Sequence, residues 1–525
     1  MAGSQVNNEK KSPGSGSSLS QRIPGLPRFA AAWHGWATRH PIASERLSRL
    51  LWGRDRQPAD YHLVSWLFLR LLAILYFSAF ASMAVQIEGL IGADGILPIA
   101  EKLAAIDQAL GSEKYWVFPT IFWFDASDAT LTAVCYAGMA AAVLLLLNRT
   151  TRSALVVCFV LYLSLVYAGQ LFITFQWDFF LLESGFLAIF LTAGSRIVVF
   201  LYRLLLFRFM FMGGVVKLVS GDPAWANLTA LGYHYETQPL PSPLAWYAHQ
   251  LPDWFHRICV GGVFFIELVI PFLIFLPRNP RLFAAWSFIL LQGGIILTGS
   301  YNFFNLLTIL LCLFLFEDRD IRRWMPRWLI QRIEAHSPTP GRVASVTAGV
   351  LAALTLLVCS TYIWMDRTQL RPSTPLDILI HTASTFALVN IYGPFAIMTT
   401  QRNEIIVEGA HDGATWKAYT FKYKPDQTKK GLSWNIPHQP RLDWQMWFAA
   451  LKRPRRDFWL VRFLDKLKEG SPQVLALLAG NPFPDRPPAH VRAQFYRYRF
   501  ATPAMRAESG DVWQREYLGP YWPPR

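Results

Sequence analysis

His234 and Glu236 are the residues of this chain whose types and spacing suit proton transfer. They lie in the loop after Lys217, which reads Ser220-Gly221-Asp222-Pro223-Ala224-Trp225 and then Leu231-Gly232-Tyr233-His234-Tyr235-Glu236-Thr237-Gln238-Pro239-Leu240-Pro241. A histidine near a glutamate can serve as acid and base. The same loop also reads as a rigid interfacial segment, its Trp and Tyr anchored among headgroups. Further charges interrupt apolar runs: Arg70, Asp178, Glu183, Arg203, Arg208 and Glu267. An ionisable side chain in lipid is costly and normally faces protein or water. Counting turns puts Arg208 and Glu267 each about 13 Å below the outer end of its own helix. The two are therefore expected to pair at mid-membrane, as a structural clamp or as a substrate or ion site. Asp178 and Glu183 are expected near Lys217, which one or both would neutralise. All five Cys fall in apolar runs and no metal-type Cys/His spacing is present, so no metal and no cofactor is expected.

The elements that must position these residues are membrane helices. The chain has 525 residues, 53% hydrophobic and only 16% charged, whereas soluble domains carry about 25% charged residues. That balance excludes intrinsic disorder for most of the chain, and five Cys are too few for a disulfide-stapled module. Apolar runs at 63–87, 129–147, 153–177, 179–195, 197–217, 258–276 and 343–365 are long enough to span. The 282–316 run is expected as two short spans broken at Gly299-Ser300-Tyr301-Asn302, giving about nine. Residues 1–62 hold nine Lys/Arg, and Arg-bearing loops follow at 148–152, 194–196, 277–281 and 317–342. With nine spans all of these fall on one side, and the acid-rich 88–128 loop falls on the other. The positive-inside rule then makes the N-terminus cytoplasmic and the C-terminus not. The net charge of +15 is mostly this topology signal, so no nucleic-acid partner is expected; the lipid bilayer is the first partner.

Three regions follow: a partly disordered cytoplasmic segment 1–62, Ser/Gly/Lys-rich over 3–20; a transmembrane helical domain 63–365 with outer-face loops 88–128 and 218–257; and an extracytoplasmic α+β domain 366–525. In the last, residues 386–392, 396–400, 404–408 and 416–424 read as strands, with His411-Asp412-Gly413 as a hairpin turn. Helices are expected at 443–451, 457–468 and 472–479, and a half-buried strand at 491–499. The fold class is thus a polytopic α-helical membrane protein with a C-terminal soluble α+β domain on a small antiparallel sheet. The aromatic segments 444–448 and 495–500 serve either as core or as a surface for apolar partners.

Several long motifs resemble the lipase maturation factor family. They are Trp177-Asp178-Phe179-Phe180-Leu181-Leu182-Glu183-Ser184-Gly185, the run Arg208-Phe209-Met210-Phe211-Met212-Gly213-Gly214-Val215-Val216-Lys217, and the loop carrying Asp222, Trp225, His234, Tyr235, Glu236 and Gln238. The C-terminal run Pro437-His438-Gln439-Pro440-Arg441-Leu442-Asp443-Trp444 agrees. The resemblance implies a membrane-anchored chaperone that helps secreted lipases or other exported proteins reach their active state. It implies the endoplasmic reticulum membrane in animals, or the inner membrane with a periplasmic C-terminal domain in a bacterium. A shorter likeness, Gly214-Val215-Val216-Lys217-Leu218 followed by Trp225, is similar to the vitamin K-dependent gamma-carboxylase superfamily and implies the alternative of Lys217 as a catalytic base. Such an enzyme would gather Lys217, Asp178 or Glu183, and His234 or Glu236 in one pocket.

Overall fold

The computed structural model describes residue 38 and residues 41–53, 59–191, 195–335, 341–368, 373–451 and 457–523. The Ser/Gly/Lys-rich stretch 3–20 lies outside the described residues. The chain divides into two compact units, Met1–Pro58 with Leu276–Pro280, and Ala59–Phe275 with Arg281–Arg525. In the first, helix Pro41–Trp52 offers its last carbonyls to Asn279, whose Nδ2 donates to Leu50 O at 2.9 Å. The second unit holds everything that follows, membrane helices and sheet together.

Among the described residues seven helices are long and apolar enough to cross a membrane. In chain order the helices up to residue 368 include α1 (His62–Ala84), α2 (Asp128–Leu146), α3 (Thr151–Ala168), α4 (Gln176–Ile189), α5 (Arg196–Val219), α6 (Ala230–Thr237), α7 (Asp253–Phe275), α8 (Arg278–Thr298), α9 (Phe304–Leu315), α10 (Arg327–Ala335) and α11 (Arg342–Thr368). The seven are α1, α2, α3, α5, α7, α8 and the greater part of α11; α1 is the most buried and α11 the least. Ser127 caps α2 by accepting from Thr130 N, and Ser195 caps α5 by accepting from Val198 N. Residue size fixes the closest crossings. A Cβ on Gly138 of α2 would lie 2.4 Å from the Phe80 ring of α1, and one on Gly185 of α4 would lie 1.8 Å from Tyr76 Oη of α1.

The expected nine spans stand at seven by length and composition. The other two expected crossings, α4 with 14 residues and the short α9, fall below the roughly 20 residues that a 30 Å hydrocarbon core takes. Both are largely buried among other helices, so neither has to meet lipid along its length. Their ends nevertheless lie at opposite ends of the bundle. The first end is marked by His62 N and Val64 N donating to Asp318, the second by Gln86 Nε2 donating to Gln439 O. Helix α4 starts at the second end, where Asp178 meets Arg441, and the chain after it reaches the first, where Arg196 donates to Ala59 O. Likewise α9 runs from Asn302, bonded to Gln439, to Glu317, bonded to Arg281. The break expected at Gly299–Asn302 is where α8 gives way to α9.

The C-terminal part carries α12 (Thr374–Thr385), β1 (Arg402–Ala410), β2 (Lys417–Ala418), α13 (Arg441–Ala450), α14 (Phe458–Glu469), β3 (His490–Phe500) and β4 (Trp513–Trp522). The sheet is antiparallel in the order β2-β1-β3-β4, with Ile405 opposite Phe495 and Phe500 opposite Trp513. The turn between β1 and β2 forms as its residues dictate: Asp412 Oδ1 accepts from Ala414 N and Thr415 N, and Gly413 takes φ +70.

Two expected strands, 386–392 and 396–400, are not strands. Ala387 and Phe395 take positive φ, which breaks an extended run, and backbone groups of the segment bond to membrane-domain side chains instead of a ladder. The expected strand 416–424 shrinks to Lys417–Ala418, because the carboxylates of Asp426 and Asp443 take the N–H groups of Phe421, Tyr423 and Lys424. Strand β4 is an addition that alternation did not reveal. Register shifts against β3, with Gly519 and Pro520 among the paired residues, interrupt its period.

Candidate functional site

The embedded charges pair, but not as turn counting suggested. Arg208 Nη1 reaches Glu183 Oε1 at 2.9 Å, and Lys217 Nζ lies 2.7 and 2.9 Å from the two carboxylate oxygens of Glu267. The expected Arg208–Glu267 pair is therefore wrong, and so is the placing of Asp178 and Glu183 near Lys217. The reason is angular. Nine residues of α5 separate Arg208 from Lys217, about two and a half turns at 3.6 residues each, so the two side chains leave opposite faces. Lys217 faces α7 and Arg208 faces α4. Depth in the membrane follows from residue number alone, whereas the partner a side chain meets depends on helix rotation.

Each pair is built locally. Glu267 sits in a π-helical stretch, Phe265–Val269, of the kind that re-aims a side chain inside a helix. It approaches α5 where Gly213 and Gly214 leave room; a Cβ on Gly214 would lie 2.7 Å from Leu268 Cδ2 and 3.0 Å from Glu267 Cβ. Lys217 also donates to Gly213 O at 3.0 Å and lies 5.3 Å from the Trp225 ring centroid. Glu183 is saturated from above: its Oε2 accepts from Asn390 N and Nδ2 at 3.0 Å and from Tyr392 Oη at 2.7 Å.

Asp178 belongs to a third pair. It lies in the first turn of α4, where free backbone N–H groups favour a carboxylate. Arg441, at the start of α13, grips it with two bonds of 2.7 and 2.8 Å, and Tyr162 Oη donates to it at 2.6 Å. Both charged side chains are at most 1% exposed. Arg441 Nη1 also donates to Phe172 O at 3.0 Å.

The loop after Lys217 ties the bundle to the sheet. Asp222 caps the short helix Pro223–Ala226 through Ala224 N and also accepts from Met398 N. Trp225 Nε1 donates to Phe395 O at 2.9 Å. Tyr235 packs in a small core with Trp246, Tyr498, Phe500 and Trp513. Glu236 accepts from Phe500 N at 3.0 Å and lies 3.7 Å from His249 Nε2. Gln238 Nε2 donates to Thr298 O at 2.7 Å, and its Oε1 accepts from Tyr301 Oη. His234 stacks on Tyr301 and meets the edge of Phe395; burial first, and then the charge of Lys217, lower its pKa to about 4.

The C-terminal motif completes the joint. His438 Nδ1 lies 2.9 Å from Ser82 Oγ, and burial followed by the charges of Arg441 and Lys422 holds its pKa at about 4. Asp443 binds Tyr423 N and Lys424 N at 2.8 Å; burial raises its carboxyl pKa, and those two N–H groups oppose the rise. Trp444 lies 3% exposed between Trp177 and Tyr301, with ring centroids at 4.9 and 5.8 Å. Met446, Tyr498 and Phe500 are buried as well, so the core reading of 444–448 and 495–500 prevails at these positions.

Sequence reasoning missed several members. Arg402, fully buried, donates to Glu236 O at 2.8 Å, to Pro239 O at 2.9 Å and to Gln238 O, while Glu404 holds it from the same strand. Ser82, Gln86 and Asn390 are neutral amides or hydroxyls, and nothing in their spacing marks them. The residues required by the enzymatic alternative do not converge. Lys217 and His234 lie close, whereas Asp178, Glu183 and Glu236 are turned to Arg441, Arg208 and Phe500 N.

Fold and site together define a polytopic membrane protein whose extramembrane α+β part is joined to its helices by the buried ion pair Asp178–Arg441 and by buried hydrogen bonds. Residues 63–323 match the lipase maturation factor transmembrane domain, and residues 388–523 match the lipase maturation factor C-terminal domain. Lipase maturation factor 1 of Bos taurus is 36% identical over 87% of this chain and 88% of its own length. Lipase maturation factor 2 of Gallus gallus is 34% identical over 87% of this chain and 80% of its own. No solved structure matches. The chain belongs to the lipase maturation factor family.

Proposed function

We propose that this protein is a membrane-anchored maturation factor that binds exported proteins, lipases foremost, while they fold and assemble. The observation that carries the reading is the joint itself. Family motifs from both matched domains meet there: Arg441 holds Asp178, and Glu183, already paired with Arg208, accepts from Asn390 and Tyr392. A chaperone needs such a fixed presenting surface and no titrating residue, whereas an enzyme would need these groups free to move protons. We assign the N-terminus to the cytoplasm and residues 366–525 to the lumen or periplasm, in the endoplasmic reticulum membrane or the inner membrane of a bacterium. With nine spans the Arg-bearing loops all fall on one side, which supports that orientation.

The test is co-expression of the full chain with a secreted lipase in a host deprived of its own factor, scored as lipase activity per mass of lipase. The wild-type chain should raise it. Lys217→Arg and Lys217→Met, checked for equal membrane abundance, should leave the rescue in place; its loss in both would point to a chemical role for Lys217. No gain from the wild-type chain would overturn the reading. Protease added to right-side-out vesicles should cut within residues 366–525 and spare residues 1–62.

A further inference from the structure

We propose that a cavity at the end of the bundle away from the sheet binds the phosphate of an anionic membrane lipid headgroup, with Arg70 as its principal partner. The cavity measures about 500 Å³ and lies between the first turns of α1, the α2–α3 connection and α10. Arg70 stands in its wall, 5% exposed, eight residues into a membrane-crossing helix. Its Nη1 donates to Asn148 Oδ1 at 2.8 Å. Its Nε and Nη2 have no hydrogen-bond partner among the described residues. His62 Nδ1 and Ser65 Oγ, on the same wall, are unpartnered too. The described lining includes no Asp or Glu.

The geometry points to a particular ligand chemistry. Nε–H and Nη2–H lie along one edge of the guanidinium and form a fork that fits two oxygens of one phosphate. Side chains of a helix tilt toward its N-terminus, so the guanidinium of Arg70 reaches back toward the level of Trp66, whose ring centroid lies 5.4 Å from Arg70 Cζ. That is the end of the span at which lipid headgroups lie. An unbalanced cation there is costly unless an anion meets it. The remaining wall suits a lipid rather than a free ion. Leu69, Leu147, Leu191 and Leu329 line it, and the amphipathic α10 contributes Trp328 and Arg332. Exposed Arg149 and Arg152 follow Asn148 in the chain and add positive potential.

The experiment is native mass spectrometry of the full-length protein titrated with phosphatidylglycerol and, separately, with phosphatidylcholine. Binding of phosphatidylglycerol in preference to phosphatidylcholine is expected. Arg70→Gln should reduce that preference about tenfold, the scale of a lost charge-assisted hydrogen bond. Asn148→Asp keeps Arg70 and supplies a carboxylate beside it, so it should reduce the preference as well, and it covers the case in which Arg70→Gln fails to fold. Equal binding of the two lipids by the wild type, or an undiminished preference in Asn148→Asp, would overturn the proposal. Displacement of the lipid by millimolar inorganic phosphate would assign the site to a free anion and overturn the lipid assignment.

Discussion

Asp178→Asn is the sharpest perturbation of the joint. Asparagine keeps the shape of the side chain but removes the charge, and its amide nitrogen cannot accept from Arg441. One of the two bonds, at 2.7 and 2.8 Å, is lost, and a guanidinium at most 1% exposed keeps a full charge with no carboxylate left to balance it. Removing one partner of a buried ion pair costs about 3–5 kcal/mol, chiefly because the other charge stays buried. Native proteins hold only about 5–15 kcal/mol in total, so the loss is large. The assay is the thermal melt of the full chain in detergent, read together with limited proteolysis. Asp178→Asn should lower the melting midpoint and expose residues 441–450 to cleavage before the membrane helices yield. Replacing both partners, as Asp178→Leu with Arg441→Met, should recover part of the loss, since no unpaired charge then remains. If Asp178→Asn melts with the wild type, or if the double variant is no better than the single, Arg441 is not held by Asp178 and the joint does not rest on this pair.

The pairing in the membrane predicts a pattern of additivity: Lys217→Met and Glu267→Gln should be strongly non-additive in melting, while Arg208→Met and Glu267→Gln should simply add. The reverse pattern would restore the pairing expected from depth alone. His234 and His438 fall from the usual 6.5 to about 4 in the folded chain, so below pH 6.5 the unfolded chain takes up protons that the folded chain refuses. Stability should therefore drop as pH falls from about 6.5 toward 4, and His438→Gln should flatten that slope in melts at pH 7.5 and 5; a profile unchanged by the substitution would contradict it. Gly185→Ala would place a Cβ 1.8 Å from Tyr76 Oη and should destabilise by about 1–3 kcal/mol, read by the same melt.

Composition and run length made the membrane helices legible, because an uninterrupted apolar stretch of about 20 residues suits a bilayer span and little else. The two expected crossings that fall short of span length, α4 and α9, are mostly enclosed by protein, and a hydropathy pattern carries no sign of enclosure. The C-terminal domain was legible where strands alternate, as in β3, and where a turn residue has one use, as at Gly413. It was illegible at 386–400, where β-type residues lie in a connection whose backbone serves Glu183, Trp225 and Asp222. Candidate site residues were found because charge in an apolar setting stands out, and they were mispaired because partner choice depends on helix rotation. Arg402 escaped notice because an arginine in a polar stretch looks solvated until the sheet buries it.

The placing of buried charges at this joint follows from the solvent on either side. Helices in lipid gain little from apolar contact with one another, since the alternative neighbour is equally apolar. A domain seated on such helices cannot be oriented by hydrophobic burial alone, because an apolar surface tolerates sliding. Charges buried at the seam do not tolerate it. Arg441 meets two oxygens of Asp178, and Arg402 meets the carbonyls of Glu236, Gln238 and Pro239. Glu183 meets Arg208 as well as Asn390 and Tyr392. Each set closes at one register and leaves a buried charge unmatched at any other. Net stabilisation from such pairs is small, and their effect is to select one seating of the C-terminal domain over its neighbours.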